Sequence, residues 1–266
     1  MKKYSYYLLS IVELLTGVKN WPLVVRTFLN LDKSARKKIH LRRSGLTFLV
    51  RGKMDIWSVK EAFIDRFYEK FGSPIGEGWS VVDIGAGIGE FTLFAAAGHP
   101  RNRVYAFEPF AESFELLKEN IAQNRIENVQ AYPEAVWGAS GNLLLDLSGG
   151  EPLQLQSVEG AREQVKEGNR LVICSSLCDV LERLGIAQID LLKLDCEGAE
   201  YPILLQTGER ALAALGKVQR IVMEYHDGIS AYSHADLEKF LREYGFRVRS
   251  VVNQVHPNLG YLYAER

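Results

Sequence analysis

Almost no net charge distinguishes this sequence: 32 Lys+Arg stand against 33 Asp+Glu, leaving −1 at pH 7. A protein that grips phosphate backbones needs a basic excess, so no nucleic-acid partner is expected. Cysteine is scarce, with three residues at Cys174, Cys178 and Cys196. The odd count and the spacing match neither a disulfide framework nor a zinc site. They predict structural thiols in a reducing, cytoplasmic setting. No apolar run reaches the roughly 20 residues that span a bilayer. The nearest approach, MKKYSYYLLSIVELLTGV, is broken by Glu13, and no convincing small-x-small cleavage site follows it. It predicts an amphipathic helix packed on the domain or on a partner. Weak contact with a membrane surface is the lesser alternative. Internal repeats and low-complexity segments are also missing. What remains, 47% hydrophobic and 24% charged over 266 residues, suits one large α/β domain with a small appendage, or a tight pair of domains. Self-association as a homo-oligomer is compatible with it.

Residues 4–33 read as helical, with a break near Asn20, Trp21 and Pro22. Residues 38–51 alternate on both sides of Ser44 and Gly45, a hairpin signal. Ser58 to Gly72 has apolar residues at helical spacing, and Ser58 with Glu61 fits a capping box. From Trp79 onward strands and helices alternate, which predicts a mostly parallel sheet covered on both faces. The strands are VVDI, RVYAFE, VQAYPEAVW, IDLLKLD and KVQRIVMEY, closed by FRVRSVV and GYLYAE as an antiparallel edge. Residues 141–175 differ in character. GNLLLDL, PLQLQSV and RLVICSS, with the polar stretch EGAREQVKEGN, read as antiparallel hairpins added to the domain. The expected division is an N-terminal helical and hairpin extension over 1–75 and a main domain over 76–266.

Two blocks carry chemistry. In the first, VVDIGAGIGEF, a strand runs into a helix through Gly85, Gly87 and Gly89. Glycines allow a sharp turn and close approach of a ligand, and the helix start offers free N–H groups. With Asp83 nearby, these donors suit the carboxylate and ammonium ends of an amino-acid moiety. The dinucleotide fingerprint is G-x-G-x-x-G; here the pattern is G-x-G-x-G, with Glu90 where the third fingerprint glycine would stand. The shorter spacing, with an acid two before the first glycine, resembles methyltransferases. Glu108, 23 residues after Gly85, ends the next strand, where a carboxylate can accept both hydroxyls of a ribose. Glu134 and Ala135 follow the third strand, in the loop that would lie over an adenine.

In the second block, IDLLKLDCEGAE, Lys193 and Asp195 share one side of a strand by alternation. Glu197 and Gly198 form the turn beyond it, and Glu200 opens the next helix. Four charged side chains within eight residues are costly to bury without partners, which points to function. Glu224 and His226 end the following strand in the same parity. A histidine there suits a general base. Asp195, Glu197, Glu224 and His226 could also hold a hard divalent ion; the lysine among them competes, so no metal site is assigned.

The order of VVDIGAGIGEF, AFEP, DLLKLDCEGAE and IVMEYH resembles the FkbM family of methyltransferases, and RSGLTFLVRGKMDIW looks like that family's upstream region. The similarity covers roughly residues 40–250. Its most distinctive element is D-x-E-G-x-E, here Asp195, Glu197, Gly198 and Glu200, with Cys196 at the variable position. The resemblance implies a Rossmann-like class I methyltransferase fold and S-adenosylmethionine as methyl donor. It further implies a hydroxylated small-molecule acceptor such as a sugar, polyketide or glycolipid precursor. Asp83, Gly85, Gly87, Gly89, Glu108, Glu134 and Ala135 would then bind the cofactor. Asp195, His226, Glu197 and Lys193 would serve catalysis, with Asp195 or His226 as base. The 1–75 extension and the 141–175 hairpins would form lid and specificity elements, with Asp55, Trp57 and Trp137 as pocket candidates. An NAD-dependent oxidoreductase, a noncatalytic binding module and methylation of nitrogen or carbon are the alternatives.

Overall fold

A computed structural model describes residues 2–146, 155–157, 169–205, 208–253 and 255–266. The N-terminal helices are α1 (Lys2–Gly17) and α2 (Trp21–Phe28), followed by a hairpin of β1 (Lys37–His40) and β2 (Thr47–Val50). After it come α3 (Lys53–Lys60), a π-helical turn (Glu61–Asp65) and α4 (Phe67–Lys70). The expected single helix over 58–72 is thus three pieces. Arg66 has φ +53, a left-handed conformation that no α-helix continues through. The capping box also fails: Ser58 lies inside α3 with its hydroxyl on Met54 O, and Glu61 turns to the Trp57 indole. A true capping box occurs at Ser233 and Asp236.

The main domain then runs β3 (Ser80–Ile84), α5 (Glu90–Ala97), β4 (Arg103–Phe107), α6 (Ala111–Gln123), β5 (Val129–Tyr132), β6 (Ala135–Trp137), β7 (Gly141–Asp146), β8 (Leu155–Ser157), β9 (Asn169–Ser176) and α7 (Leu177–Arg183). It continues through β10 (Leu191–Leu194), α8 (Glu200–Leu204), α9 (Glu209–Leu215), β11 (Arg220–His226), α10 (His234–Glu243), β12 (Arg247–Val252) and β13 (Leu259–Glu265). Seven strands form one sheet in the order β12-β13-β11-β10-β3-β4-β5. Only β13 runs against its neighbours. It inserts between β11 and β12, so the last strand is internal and β12 is the edge. Every residue of β3 is buried, as a strand covered on both faces requires.

The VQAYPEAVW segment splits at Pro133 and Glu134. β5 closes the main sheet, while β6 joins a second sheet of order β6-β9-β7-β8. There β7 pairs antiparallel with β8 and β9, the expected hairpins, and β6 adds a parallel strand. The polar stretch 159–168 lies outside the described residues, as do 152–154 and 158 of PLQLQSV.

The N-terminal segment shares its core with the main domain. Leu14, Val18, Val24, Ile39 and Phe48 pack in one cluster with Ile88, Leu93 and Leu116. Asn120 on α6 bonds both the N–H and the carbonyl of Leu49 on β2, at 2.7 and 3.2 Å. Each fully buried aliphatic side chain there contributes roughly 1.5–3 kcal/mol. Among the described residues no helix is long and apolar enough to cross a membrane.

Candidate functional site

The glycine loop leaves the carboxyl end of β3, at the centre of the sheet. Gly85, Gly87 and Gly89 have φ +75, +55 and +94, values that side chains with a Cβ rarely adopt. At Gly85 space forbids one as well: an added Cβ would lie 1.9 Å from the carbonyl oxygen of Asp195. The two sequence blocks therefore touch through their backbones.

Glu108 ends β4 beside the loop. Its carboxylate accepts the N–H groups of Gly87 and Phe110, both at 2.8 Å. Burial pushes its pKa up to about 7, against the pull of those two donors. Asp83, expected to reach a ligand, is fully buried instead. It takes the Thr92 hydroxyl at 2.5 Å and the Lys193 amine at 3.0 Å. Strand register explains the second contact, because Lys193 is directly paired with Asp83 across β10 and β3.

Lys193 is the hinge of the arrangement. Its buried amine donates to Gly85 O at 2.7 Å, contacts Asp83, and lies 3.8 Å from Asp195 Oδ2. Burial alone would lower its pKa, but the carboxylates of Asp83, Asp195 and Glu90 outweigh it and hold the amine charged. Asp195, one-fifth exposed, also accepts the hydroxyl of Tyr68, 127 residues away in the chain, at 2.9 Å.

His226, at the end of β11, sits between two carboxylates. Nδ1 lies 3.0 Å from Glu200 Oε1 and Nε2 lies 3.3 Å from Glu197 Oε2. Burial opposes its protonation, yet Glu200, Glu197 and Asp195 push its pKa up to about 10. So held, His226 is an imidazolium donor and not the general base expected from its reference value. Glu197 reaches it from a left-handed backbone, φ +52, where a non-glycine residue stores strain.

Beside them stand two acids on neighbouring elements. Glu224 on β11 is raised far above the carboxylate range by burial and by the charges of Asp195 and Glu61. Glu61, on the π-helical turn, is raised to about 8 by burial, though the Trp57 indole donates to it at 2.9 Å. Asp195, Glu224 and His226 each offer a donor atom, and these atoms lie within 4.8 Å of one another. Tyr261, paired with Glu224 across β13, closes the group with a buried hydroxyl. Sequence reading missed Glu61, Tyr68 and Tyr261 as members, and counted Glu200 in the charged block and the D-x-E-G-x-E element without giving it a role. The π-turn that aims Glu61 has no sequence mark, and the tyrosines pass for ordinary core.

The remaining candidates lie elsewhere. Arg183 grips Glu134 with both terminal nitrogens and Ser175 donates to it at 2.8 Å. The side chain of Ala135 packs with Leu143, Leu145, Val172 and Cys174. Asp55 bonds the backbone N–H and guanidinium of Arg51, and Trp137 packs between two apolar clusters. Of the three pocket candidates only Trp57 reaches the acid group. Cys196 is held protonated, its pKa well above the ordinary thiol value through burial and the nearby carboxylates.

Comparison with known proteins places this geometry. Residues 83–248 match the Methyltransferase FkbM domain. The chain is 31% identical over 216 residues to 31-O-demethyl-FK506 methyltransferase FkbM of Streptomyces tacrolimicus, covering 71% of this chain and 80% of that protein. It is also 31% identical over 224 residues to AMB antimetabolite synthetase AmbE of Pseudomonas aeruginosa, spanning 71% of this chain but 10% of that much longer protein. The crystal structure of Methyltransferase FkbM from Methylobacillus flagellatus superposes with a TM-score of 0.51 at 14% identity, over 80% of this chain and 54% of that one. That likeness concerns the fold, a class I methyltransferase sheet. On its matched motifs and sheet order, the chain belongs to the FkbM family of S-adenosylmethionine-dependent methyltransferases.

Proposed function

We propose that this enzyme methylates a hydroxyl oxygen on a small-molecule acceptor of sugar, polyketide or glycolipid type. One observation carries the reading: Lys193 binds Gly85 O and Asp83 and reaches toward Asp195, which makes the glycine loop and the acid group a single rigid unit. The Streptomyces relative, named for an O-demethyl substrate, supports oxygen as the acceptor.

The residues fit the cofactor. The glycine loop is a cradle that side chains would fill, and Glu108 ends the adjacent strand where ribose hydroxyls would lie. Glu90 Oε2 is buried with no hydrogen-bond partner among the described residues, and its carboxylate lies about as close to Gly87 as a side chain there would allow. It is the acceptor for an ammonium group. S-adenosylmethionine supplies a methyl group already activated on a sulfonium. The protein must then align the acceptor, which can be worth several kcal/mol, and remove one proton, commonly worth about 10²–10⁴-fold. Asp83 acts through Lys193, and Lys193, 3.8 Å from Asp195 Oδ2, helps hold that carboxylate in place. His226 donates to groups at the acceptor. Glu61, its pKa raised by burial to about 8, takes the hydroxyl proton in its ionised form. Residues 1–75 supply Glu61 and Tyr68 and so complete the acceptor side.

Transfer of labelled methyl from S-adenosylmethionine to a panel of hydroxylated acceptors tests this. An ether-linked label is expected; label on nitrogen or carbon refutes it. Asp195→Asn should lower turnover about 10³-fold, with S-adenosylhomocysteine affinity nearly unchanged.

A further inference from the structure

The acid group crowds five carboxyl groups around two cationic side chains. Glu61, Glu197, Glu200, Glu224 and Asp195 converge there, facing Lys193 and His226. Lys193 is shared with Asp83 behind the glycine loop. Crowded carboxyl groups of this kind are costly unless a proton or a cation neutralises them.

The geometry says where such a cation would sit. Donor atoms of Asp195, Glu224 and His226 all lie within 4.8 Å of one another. Ligands of one ion with bonds of about 2.1–2.4 Å lie at most about 4.8 Å apart, the limit these three atoms keep within, so small side-chain adjustments bring all three onto one ion. His226 is already oriented for it: Nδ1 faces Glu200 Oε1 at 3.0 Å in the interior, and Nε2, now 3.3 Å from Glu197 Oε2, gives up its proton when the ion takes that place. A carboxylate behind an imidazole is the usual support of a metal-binding histidine. The Tyr68 hydroxyl fixes one oxygen of Asp195 at 2.9 Å, leaving the other for a further partner. Lys193 does not take the place, since its amine is bound at 2.7 and 3.0 Å to Gly85 O and Asp83.

A second observation comes from outside the carboxylates. Tyr261 is 5% exposed, and among the described residues its hydroxyl finds no hydrogen-bond partner. It stands opposite Glu224 in the β11–β13 register, and the charges of Glu224, Glu61 and Asp195 all act on its phenol. A buried polar atom aimed into an acidic group asks for a ligand, such as water on a bound ion.

We propose that Asp195, Glu224 and His226 bind one divalent cation, with Mn²⁺ the best match to two carboxylates and an imidazole. Resting on the methyl-transfer reading, the ion holds the acceptor hydroxyl and makes its proton easier to remove. The proton passes to Glu61, the oxygen–methyl bond forms as the sulfur–methyl bond breaks, and that electron pair stays on sulfur.

The test uses the full chain, stripped with a chelator and titrated with Mn²⁺ while the six-line electron paramagnetic resonance signal of free Mn²⁺ is followed. One Mn²⁺ per chain is expected. Glu224→Gln and His226→Asn should each weaken it at least about tenfold, with S-adenosylhomocysteine affinity by calorimetry unchanged. Tyr261→Phe, which removes only the hydroxyl, should weaken Mn²⁺ measurably without altering the fold. Absence of Mn²⁺ binding, or equal binding by wild type and Glu224→Gln, overturns the site. Full turnover by the chelated enzyme overturns its role in transfer. Failure to bind S-adenosylhomocysteine at all would instead overturn the underlying function, whatever the Mn²⁺ result.

Discussion

The cofactor side of this site is written in one short stretch, Asp83 to Phe91, with Glu108 on the adjacent strand. The acceptor side is gathered from the π-helical turn, the ends of β10 and β11, the turn before α8, and the middle of β13. The first works through its backbone: three left-handed glycines, free amides, and a carboxylate already bonded to the loop. The second works through charge, with pKa values displaced by burial and by one another. A backbone cradle has no tolerance for an added atom but needs no distant help. A charge cluster tolerates isosteric change in shape yet depends on every element that contributes to it. Lys193 joins them, because one amine serves the loop carbonyl and both aspartates.

Gly85→Ala should break the cofactor side most severely. Its Cβ would meet Asp195 O at 1.9 Å in a backbone with φ +75. A loss of about 3 kcal/mol in stability is expected, with cofactor affinity down at least about 100-fold, read by melting and calorimetry. If affinity falls but turnover at saturating cofactor survives, the two halves are less coupled than Lys193 implies.

Glu61→Gln addresses the acceptor side alone. It should lower kcat about 10²-fold and leave S-adenosylhomocysteine affinity within about twofold. A loss confined to KM would make Glu61 a binding group and move the base elsewhere.

The pH dependence of stability has the same sign in both halves. Folded Glu61 and Glu90 titrate at about 8 and Glu108 at about 7, against an ordinary value of 4.5. Above that ordinary value the unfolded chain releases protons that the folded chain keeps, so stability falls as pH rises toward 8. His226, raised from 6.5 to about 10, stabilises fully below 6.5 and loses that contribution as pH rises through 10. Both act in one direction. The melting temperature of the ligand-free enzyme should decline steadily between about pH 5 and pH 9. Glu61→Gln should flatten the middle of that decline and His226→Asn its upper end. A melting temperature that rises over this range would contradict the raised pKa values on both sides of the site.

The smallest effect is expected at Glu134→Gln. The Arg183 partner is half exposed, and such pairs contribute under about 1 kcal/mol. Cofactor affinity should change little, because Arg183 and Ser175 already occupy the carboxylate. A tenfold loss would restore Glu134 to the adenine contact expected from its position after β5.

Much of the fold was legible because each element repeats a local rule. VVDI, RVYAFE and IDLLKLD are short, mostly apolar runs that each carry an acid at or near their carboxyl end, and the sheet places them side by side as β3, β4 and β10. The glycine loop was legible for the same reason. Its conformation follows from residues within a few positions of one another. Breaks set by distant contacts were not legible. Ser58 to Gly72 has unbroken helical periodicity, yet the segment unwinds at Glu61 and reverses at Arg66. There Lys60 reaches Asp65 and Glu13, and Tyr68 reaches Asp195. The division of VQAYPEAVW between two sheets likewise depends on β9, some forty residues later.

By itself the sequence determined the cofactor cradle, the alternation of strands and helices, and the chemical types of Lys193, Asp195, Glu197 and His226. Those properties live in spacing and composition. The protonation of His226, the withdrawal of Asp83 into the core, and the recruitment of Glu61, Tyr68 and Tyr261 were decided only in the folded chain. Charge and burial are set by which groups meet, and these groups meet only when the N-terminal segment, β10, β11 and β13 pack together.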